Sequence, residues 1–258
     1  MPNSAPTVWI PFGVLLPFGL LLCRTSVLIA LMPLPGVRNA LEVHRLLLAV
    51  LLAALLTPFA PAIPVPSLAK LLVFATAEAT LGAALGLSIA LIQEGIQLGA
   101  QFIGMQAGFA YASTIDPTSE ADSAILQVLL TLASSLAFLA LGLDTIVFRF
   151  VLEGVRLFPP GSWVPSPQHA TALMALFPPL FTDAVRIALP VVAVLLVVDI
   201  SLALFSRLQP QLQLLTLSFP LKMLASVATV AACSAYLPIA LERASARSVE
   251  AMRFLLHP

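Results

Sequence analysis

Few side chains in this sequence have the type and spacing that chemistry requires. Glu94, Gln97 and Gln101 stand at positions i, i+3 and i+7, which places them on one face of a helix. A carboxylate inside a membrane is costly and usually faces a partner or a water-filled cavity. Two interpretations of this face stay open: it lines a conduit, or it forms a patch of hydrogen bonds between helices.

No motif for catalysis or metal binding is found. The sequence has no HExxH, GxSxG or P-loop pattern. The histidines His44, His169 and His257 are far apart, and the cysteines lie in apolar runs without a CxxC spacing. The sequence therefore predicts a protein that is not an enzyme and that holds no cofactor and no metal.

The composition predicts residence in a membrane. Of the 258 residues, 60% are hydrophobic and 9% are charged, and the mean hydropathy is +1.05. A soluble domain has roughly a quarter of its residues charged. The 12 basic and 12 acidic residues here are too few to cover such a surface, and their zero net charge argues against nucleic acid as a partner.

Long uncharged runs predict how the chain crosses the membrane. These runs cover residues 1–23, 46–69, 123–143 and 223–241, and each is close to the ~20 residues that a helix needs to cross the bilayer. Backbone groups in lipid must bond internally, which favours helices. We predict an all-α, multi-pass integral membrane protein with about six long, kinked or broken helices, near 8–32, 41–57, 67–112, 119–158, 168–207 and 212–240. Pro178-Pro179 and Pro190 are expected to interrupt the fifth.

Small residues recur at helical spacing in the third segment. Three GxxxG pairs follow one another within 27 residues, and small residues four apart let helix backbones approach closely in lipid. The pattern favours a helix or subunit interface, with packing inside one chain as the alternative. We assign to it Gly82, Gly86, Gly95, Gly99, Glu94, Gln97 and Gln101.

Isolated charges inside apolar segments need partners. Asp183 with Arg186, and Arg149 with Glu153, stand at i, i+3 and i, i+4 and are expected to pair locally. Arg24 has no neighbour of opposite charge, so we expect it to pair across helices or with another subunit.

A polar stretch separates two apolar blocks at residues 111–122. Asp116-Pro117 favours a turn, and Ser119-x-x-Asp122 is typical of a capping box that starts the next helix. The segment 103–117, with a Gly-x-Gln-x-Gly stretch, a run of small and aromatic residues and then Asp-Pro, resembles the signature of the FliR family. Residues 207–212 and Phe219-Pro220-Leu221-Lys222 resemble it as well. At 141–144 the family often has Asn-Gly-His, and this chain has Leu-Gly-Leu-Asp.

The resemblance implies a subunit of the bacterial flagellar type III protein-export gate, in the inner membrane at the basal body. Such a chain is arranged as hairpins within a helical pore assembly, together with FliP-type, FliQ-type and FlhB-type subunits. The assembly is the channel for unfolded rod, hook and filament proteins. The resemblance further implies a FliP-like part over 1–162 and a FliQ-like hairpin with a C-terminal tail over 163–258.

The resemblance also implies a loop over 104–122 that plugs the pore. Carried onto this sequence, the plug residues are Gly104, Met105, Gln106, Gly108, Phe109, Tyr111, Ile115, Asp116 and Pro117. Two alternatives stay open. One is the homologous subunit of an injectisome. The other is a secondary transporter, for which Glu78, Glu94 and Asp199 would be the buried carboxylates.

Overall fold

The fold is seen in a computed structural model, which describes residues 12–33, 42–61, 63, 66–109, 125–208 and 214–256. These residues contain no strand, and they form a 3₁₀ turn at Thr57–Phe59 and nine α-helices. The prediction of an all-α membrane protein is confirmed. The helices are α1 Phe12–Leu31, α2 Glu42–Leu56, α3 Leu68–Ala107, α4 Ile125–Ala140, α5 Leu143–Leu157, α6 Pro167–Met174, α7 Phe177–Leu208, α8 Leu214–Cys233 and α9 Tyr236–Leu256.

Two stretches of the described chain are long and apolar enough to cross a membrane, namely Leu68–Ala107 and Pro167–Leu208. The number rises to four if α4 with α5, and α8 with α9, each count as one bent span. At a rise of ~1.5 Å per residue, the 40 residues of α3 extend about 60 Å. That is about twice the ~30 Å of hydrocarbon in a bilayer.

The helix breaks differ in place from those that the sequence predicts. The segment 119–158 is divided at Leu141–Gly142, where Gly142 has a φ of +66°, the left-handed conformation that commonly ends a helix. The segment 212–240 is divided after Cys233, and α9 extends the helix through the charged tail to Leu256. The expected break in 67–112 is absent from Leu68 to Ala107, where α3 is continuous.

Of the two interruptions expected in the fifth segment, the one at Pro178-Pro179 occurs and the one at Pro190 does not. The break falls at 175–176, before Pro178-Pro179, which belong to the first turn of α7. The first N–H groups of a helix have no partner within it, so proline removes nothing there. Pro190 lies inside α7, which continues through it.

The chain forms two compact units, each made of separate segments. Unit 1 comprises 1–89, 144–173 and 250–258, and unit 2 comprises 90–143 and 174–249. In unit 1, α1 packs on α2, and in unit 2, α7 packs on α8, so both units contain a helical hairpin. This division does not test the predicted parts 1–162 and 163–258, which stay a prediction.

The first GxxxG pair lies where α3 meets α1 in unit 1. A Cβ atom on Gly82 would lie 2.1 Å from the carbonyl oxygen of Arg24, and one on Gly86 would lie 3.1 Å from that of Leu28. Atoms at 2.1 Å overlap strongly, so only glycine fits at position 82. The Thr25 hydroxyl also donates a hydrogen bond to the carbonyl oxygen of Ala49, which ties α1 to α2.

The second pair makes an equivalent contact in unit 2, between α3 and α7. A Cβ atom on Gly95 would lie 3.3 Å from the carbonyl oxygen of Leu180, and one on Gly99 would lie 2.9 Å from that of Ala184. All four glycines thus serve contacts between helices of one chain. Their use in an interface with a partner subunit stays a prediction.

Candidate functional site

The candidate site lies at the C-terminal end of α3, where the predicted plug loop begins. Gly108 follows the helix with a φ of +83°, a conformation that glycine adopts without a steric penalty. A Cβ atom at this position would also lie 2.8 Å from Cδ1 of the Phe219 ring. Two features therefore favour glycine at position 108: the positive φ of the backbone and the close approach of the Phe219 ring.

Two residues earlier, Gln106 joins an ion pair. Its Nε2 donates a hydrogen bond of 3.2 Å to Oδ2 of Asp199 on α7. The other carboxylate oxygen, Oδ1, lies 2.5 Å from Nζ of Lys222 on α8. The Asp199 side chain is 34% exposed and that of Lys222 is 17% exposed. Hydrogen bonds to ionised groups are stronger than neutral ones, so Asp199 fixes both neighbours.

Asp199 therefore connects the two sequence motifs that carry the family resemblance. Gly104–Gly108 lies at the end of α3, and Phe219–Lys222 lies on α8, and the carboxylate between them comes from α7. This contact is not apparent from the sequence, in which Asp199 stands out only as a candidate transporter carboxylate. A signal was present, because Asp199 is the sole acid between Asp183 and Glu242, and Lys222 is the sole base between Arg207 and Arg243.

The remaining predicted plug residues are only partly described. Gly104 is buried, Phe109 is half-buried and Met105 is exposed. Met105 and Phe102 line a shallow apolar cavity of about 400 Å³ against α7. Tyr111, Ile115, Asp116 and Pro117 lie outside the described residues, so the plug assignment stays a prediction.

The polar face of α3 is divided between the interior and the surface. Gln97 is 7% exposed, whereas Glu94 and Gln101 are exposed. Gln93, which has no place in the predicted face, makes hydrogen bonds between helices. Its amide donates to the Thr131 carbonyl oxygen at 3.2 Å and accepts a bond of 2.8 Å from the Ser134 hydroxyl. A role for Glu94 and Gln101 in lining a conduit stays a prediction.

Unit 1 contains a second polar network, which is wholly buried. Nε of Arg24 lies 2.5 Å from Oε2 of Glu78, and both side chains are 0% exposed. Arg24 also donates to the carbonyl oxygen of Phe158 at 3.2 Å, and Oε1 of Glu78 accepts from the backbone N–H of Gly161 at 2.8 Å. The expectation that Arg24 pairs across helices is confirmed.

The expected local pair of Asp183 with Arg186 is wrong. Asp183 instead accepts a charged hydrogen bond from Arg247 on α9. Arg186 is exposed, and it makes no ion pair or hydrogen bond with any residue in the described part of the chain. Packing of α9 against α7 brings Arg247 to Asp183, and sequence spacing carries no information on that contact.

Among the described residues, the ion pairs and the Gln93 and Gln106 hydrogen bonds join different helices. In the residues that the structure describes, no three His, Cys, Asp or Glu side chains come together as a metal site would need. His169 stacks on Trp163 at 5.3 Å between ring centroids, and its Nδ1 accepts from the backbone N–H of Ser166. The helices and these networks define a class: an apolar, all-α membrane protein in which polar side chains join helices that are far apart in the sequence.

Sequence comparison gives the family. The model of bacterial export proteins, family 1, matches residues 15–248, and the chain belongs to this family. It is similar to three proteins that each bear the name flagellar biosynthetic protein FliR. The one from Bacillus subtilis (strain 168) is 29% identical over 248 residues, covering 93% of this chain and 94% of that protein.

The other two relatives are more distant. FliR of Escherichia coli (strain K12) is 25% identical over 215 residues, covering 82% of this chain and 81% of the relative. FliR of Caulobacter vibrioides is 23% identical over 215 residues, covering 82% and 86%. The predicted membership of the FliR family is confirmed. A member of this export family is a structural subunit and not an enzyme, as predicted.

Proposed function

We propose that this chain is a subunit of the flagellar protein-export apparatus, acts in a complex with other export components, and forms part of the channel for unfolded rod, hook and filament proteins. The family match over residues 15–248 supports the export role. The network of Gln106, Asp199 and Lys222 supports a further step, in which the loop over 104–122 seals the channel and is held at its base by Asp199.

An export channel must admit an unfolded chain and yet block ions when it is empty. An apolar constriction blocks ions by excluding water, and it opens when its wall moves aside. Gly108 permits the backbone to change direction at the base of the loop. Asp199 holds Gln106 to α7 and α8, so the loop would move while its base stays fixed.

The exposed apolar surface supports assembly with partners. Along α7, the exposed apolar side chains include Leu196, Val197, Leu204 and Phe205. A helix of 32 residues is about 48 Å long, which exceeds the ~30 Å that lipid would cover. Other protein chains would cover the excess, and we propose FliP-type, FliQ-type and FlhB-type subunits for this role. The location that follows is the bacterial inner membrane at the flagellar basal body.

The alternatives have less support. A transporter needs a buried carboxylate that is available to an ion, but Glu78 and Asp199 are both paired with bases and Glu94 is exposed. The names of the relatives favour the flagellar system over an injectisome.

Deletion of residues 113–120 tests the sealing role. The deletion removes the predicted tip and spares Gln106, Asp199 and Lys222. We expect the export complex to assemble with normal subunit yield, and the membrane to become leaky to ions. Conductance of vesicles that contain the purified complex is the measurement, with the intact complex as the control. An assembled deletion complex with unchanged conductance would remove the sealing role.

A further inference from the structure

An apolar cavity in unit 2 has no place in the proposed sealing mechanism. It encloses about 710 Å³ between α3, α4, α7, α8 and the start of α9. Binding sites for small molecules have volumes of roughly 300–1,000 Å³ and mostly apolar walls with a few polar groups. This cavity has that character, since its walls include Ile103, Leu130, Ile187, Val191 and Val227.

Among the described residues that line the cavity, Arg186 is the one with a charged side chain. Its expected partner, Asp183, is engaged by Arg247. No other residue in the described ranges forms an ion pair or hydrogen bond with Arg186, and its side chain is exposed. An arginine beside apolar walls in a membrane protein is unfavourable without a counter-charge, so the site requires an anion.

Both features together specify an amphiphile. The walls require an apolar chain, and Arg186 requires one anionic group at the end of that chain. Tyr236, which lines the cavity and is exposed, adds a hydroxyl that donates a hydrogen bond. Basic pockets between membrane helices bind the head groups of anionic lipids, and the bilayer supplies such lipids at high local concentration. The competing occupant is a helix of a partner subunit, which would need a space about 10 Å wide and an acidic residue placed at Arg186.

We propose that this cavity binds an anionic phospholipid, with an acyl chain between α3, α4, α7 and α8 and the phosphate on Arg186. The proposal depends on membrane residence and not on the sealing role of the loop. A lipid in this position would brace α7, which carries Asp199, against α3 and α4.

The test uses the assembled export complex that contains the full chain. The complex is exchanged into lipid nanodiscs of either phosphatidylglycerol or phosphatidylcholine with the same acyl chains. After transfer to detergent, the lipids that each complex retains are counted by native mass spectrometry. We expect retention of phosphatidylglycerol above phosphatidylcholine, and Arg186→Gln should reduce that preference by about fivefold, the effect of one basic side chain at a lipid head group.

Two further variants make the result specific. Arg207→Gln removes an exposed arginine of the same helix that does not line the cavity and lies about 30 Å away by helical rise, so it should retain the preference. Val227→Trp places a large ring in the cavity from an exposed position and should lower the retention of both lipids.

Equal retention of the two lipids by the unaltered complex would overturn the proposal. So would an unchanged preference in an assembled Arg186→Gln complex, or a partner helix seated in the cavity in a structure of the complex. If Arg186→Gln does not assemble, the comparison of the two lipids on the unaltered complex and on Val227→Trp decides.

Discussion

The two polar networks of this chain differ in burial, and that difference separates a structural contact from a contact suited to a moving part. The side chains of Arg24 and Glu78 are fully buried in unit 1, and backbone groups of Phe158 and Gly161 bond to them, while Nη1 of Arg24 has no partner among the described residues. Asp199 and Lys222 in unit 2 are partly exposed, and their further partner is a side chain, Gln106, beside a loop. Water can replace a partner in the second network and not in the first.

This difference in burial predicts different free-energy costs for breaking the two ion pairs. Removing one member of a buried ion pair leaves an uncompensated charge and typically costs 3–5 kcal/mol, while a partly exposed pair contributes roughly 0–1 kcal/mol. The buried network thus holds unit 1 together at all times. In the proposed sealing mechanism, the partly exposed network would hold the base of the loop with an energy that an arriving polypeptide could overcome.

The largest effect is expected from Glu78→Ala. The change leaves the Arg24 charge and the Gly161 N–H without their partner inside unit 1. We expect a loss of about 3–5 kcal/mol in stability, enough to prevent accumulation of the chain in the membrane. The measurement is the amount of chain that co-purifies with the export complex.

Glu250→Ala is the control for that variant, since Glu250 is an exposed acid that belongs to the same unit. We expect its yield to be normal. A normal yield of Glu78→Ala would show that the buried pair does not hold unit 1 together.

An intermediate effect is expected from added methyl groups at the helix contacts. In Gly82→Ala the new Cβ would lie 2.1 Å from a backbone oxygen of α1, so the helices must separate. In Gly95→Ala the nearest atom is 3.3 Å away, and a small shift relieves the contact. We expect Gly82→Ala to lose about 1–3 kcal/mol by overpacking, and Gly95→Ala to lose less.

Thermal unfolding of the purified complex ranks these variants by stability. Gly19→Ala is the control, because nothing lies within 4 Å of its Cβ and alanine favours a helix by roughly 0.5–1 kcal/mol. A Gly95→Ala complex that is less stable than Gly82→Ala would contradict the geometry.

The smallest effect is expected from Gln106→Leu, which removes one partly buried hydrogen bond to Asp199. A net loss of about 0.5–1.5 kcal/mol should leave assembly intact and raise the ion leak slightly. Vesicle conductance is again the measurement. As the control, Gln168→Leu makes the same exchange at an exposed position of α6 and should leave conductance as it was. Equal ion leaks from the two variants would show that Gln106 does not help to hold the base of the sealing loop.

The sequence predicts the helical membrane class and the family from long apolar runs and from short motifs. It does not predict contacts between helices that are far apart in sequence. Asp199 meets Lys222 because α7 and α8 form a hairpin, and Gln106 joins them only once α3 has packed on α7. A local rule favours Asp183 with Arg186 at i, i+3, and α9 supplies a better-placed base in Arg247.

The sequence pattern also does not predict which side chains around one helix are buried. Glu94 and Gln93 are adjacent, and a step of about 100° around α3 decides which of them faces α4. Gln93 is buried and bonded to Thr131 and Ser134, and Glu94 is exposed. Glu94 stands out in the sequence because it is charged, but the neutral amide of Gln93 is the group that is buried.

The most direct test of the proposed hold on the loop base exchanges the charges of Asp199 and Lys222. Asp199→Lys alone places two cations together, and Lys222→Asp alone places two carboxylates together. We expect each single variant to assemble and to raise the ion conductance of vesicles that contain the complex. The double variant restores an ion pair with reversed polarity and should return the conductance toward that of the unaltered complex. A double variant as leaky as the more severe single one, or single variants with normal conductance, would contradict the proposal that Asp199 and Lys222 hold the base of the sealing loop.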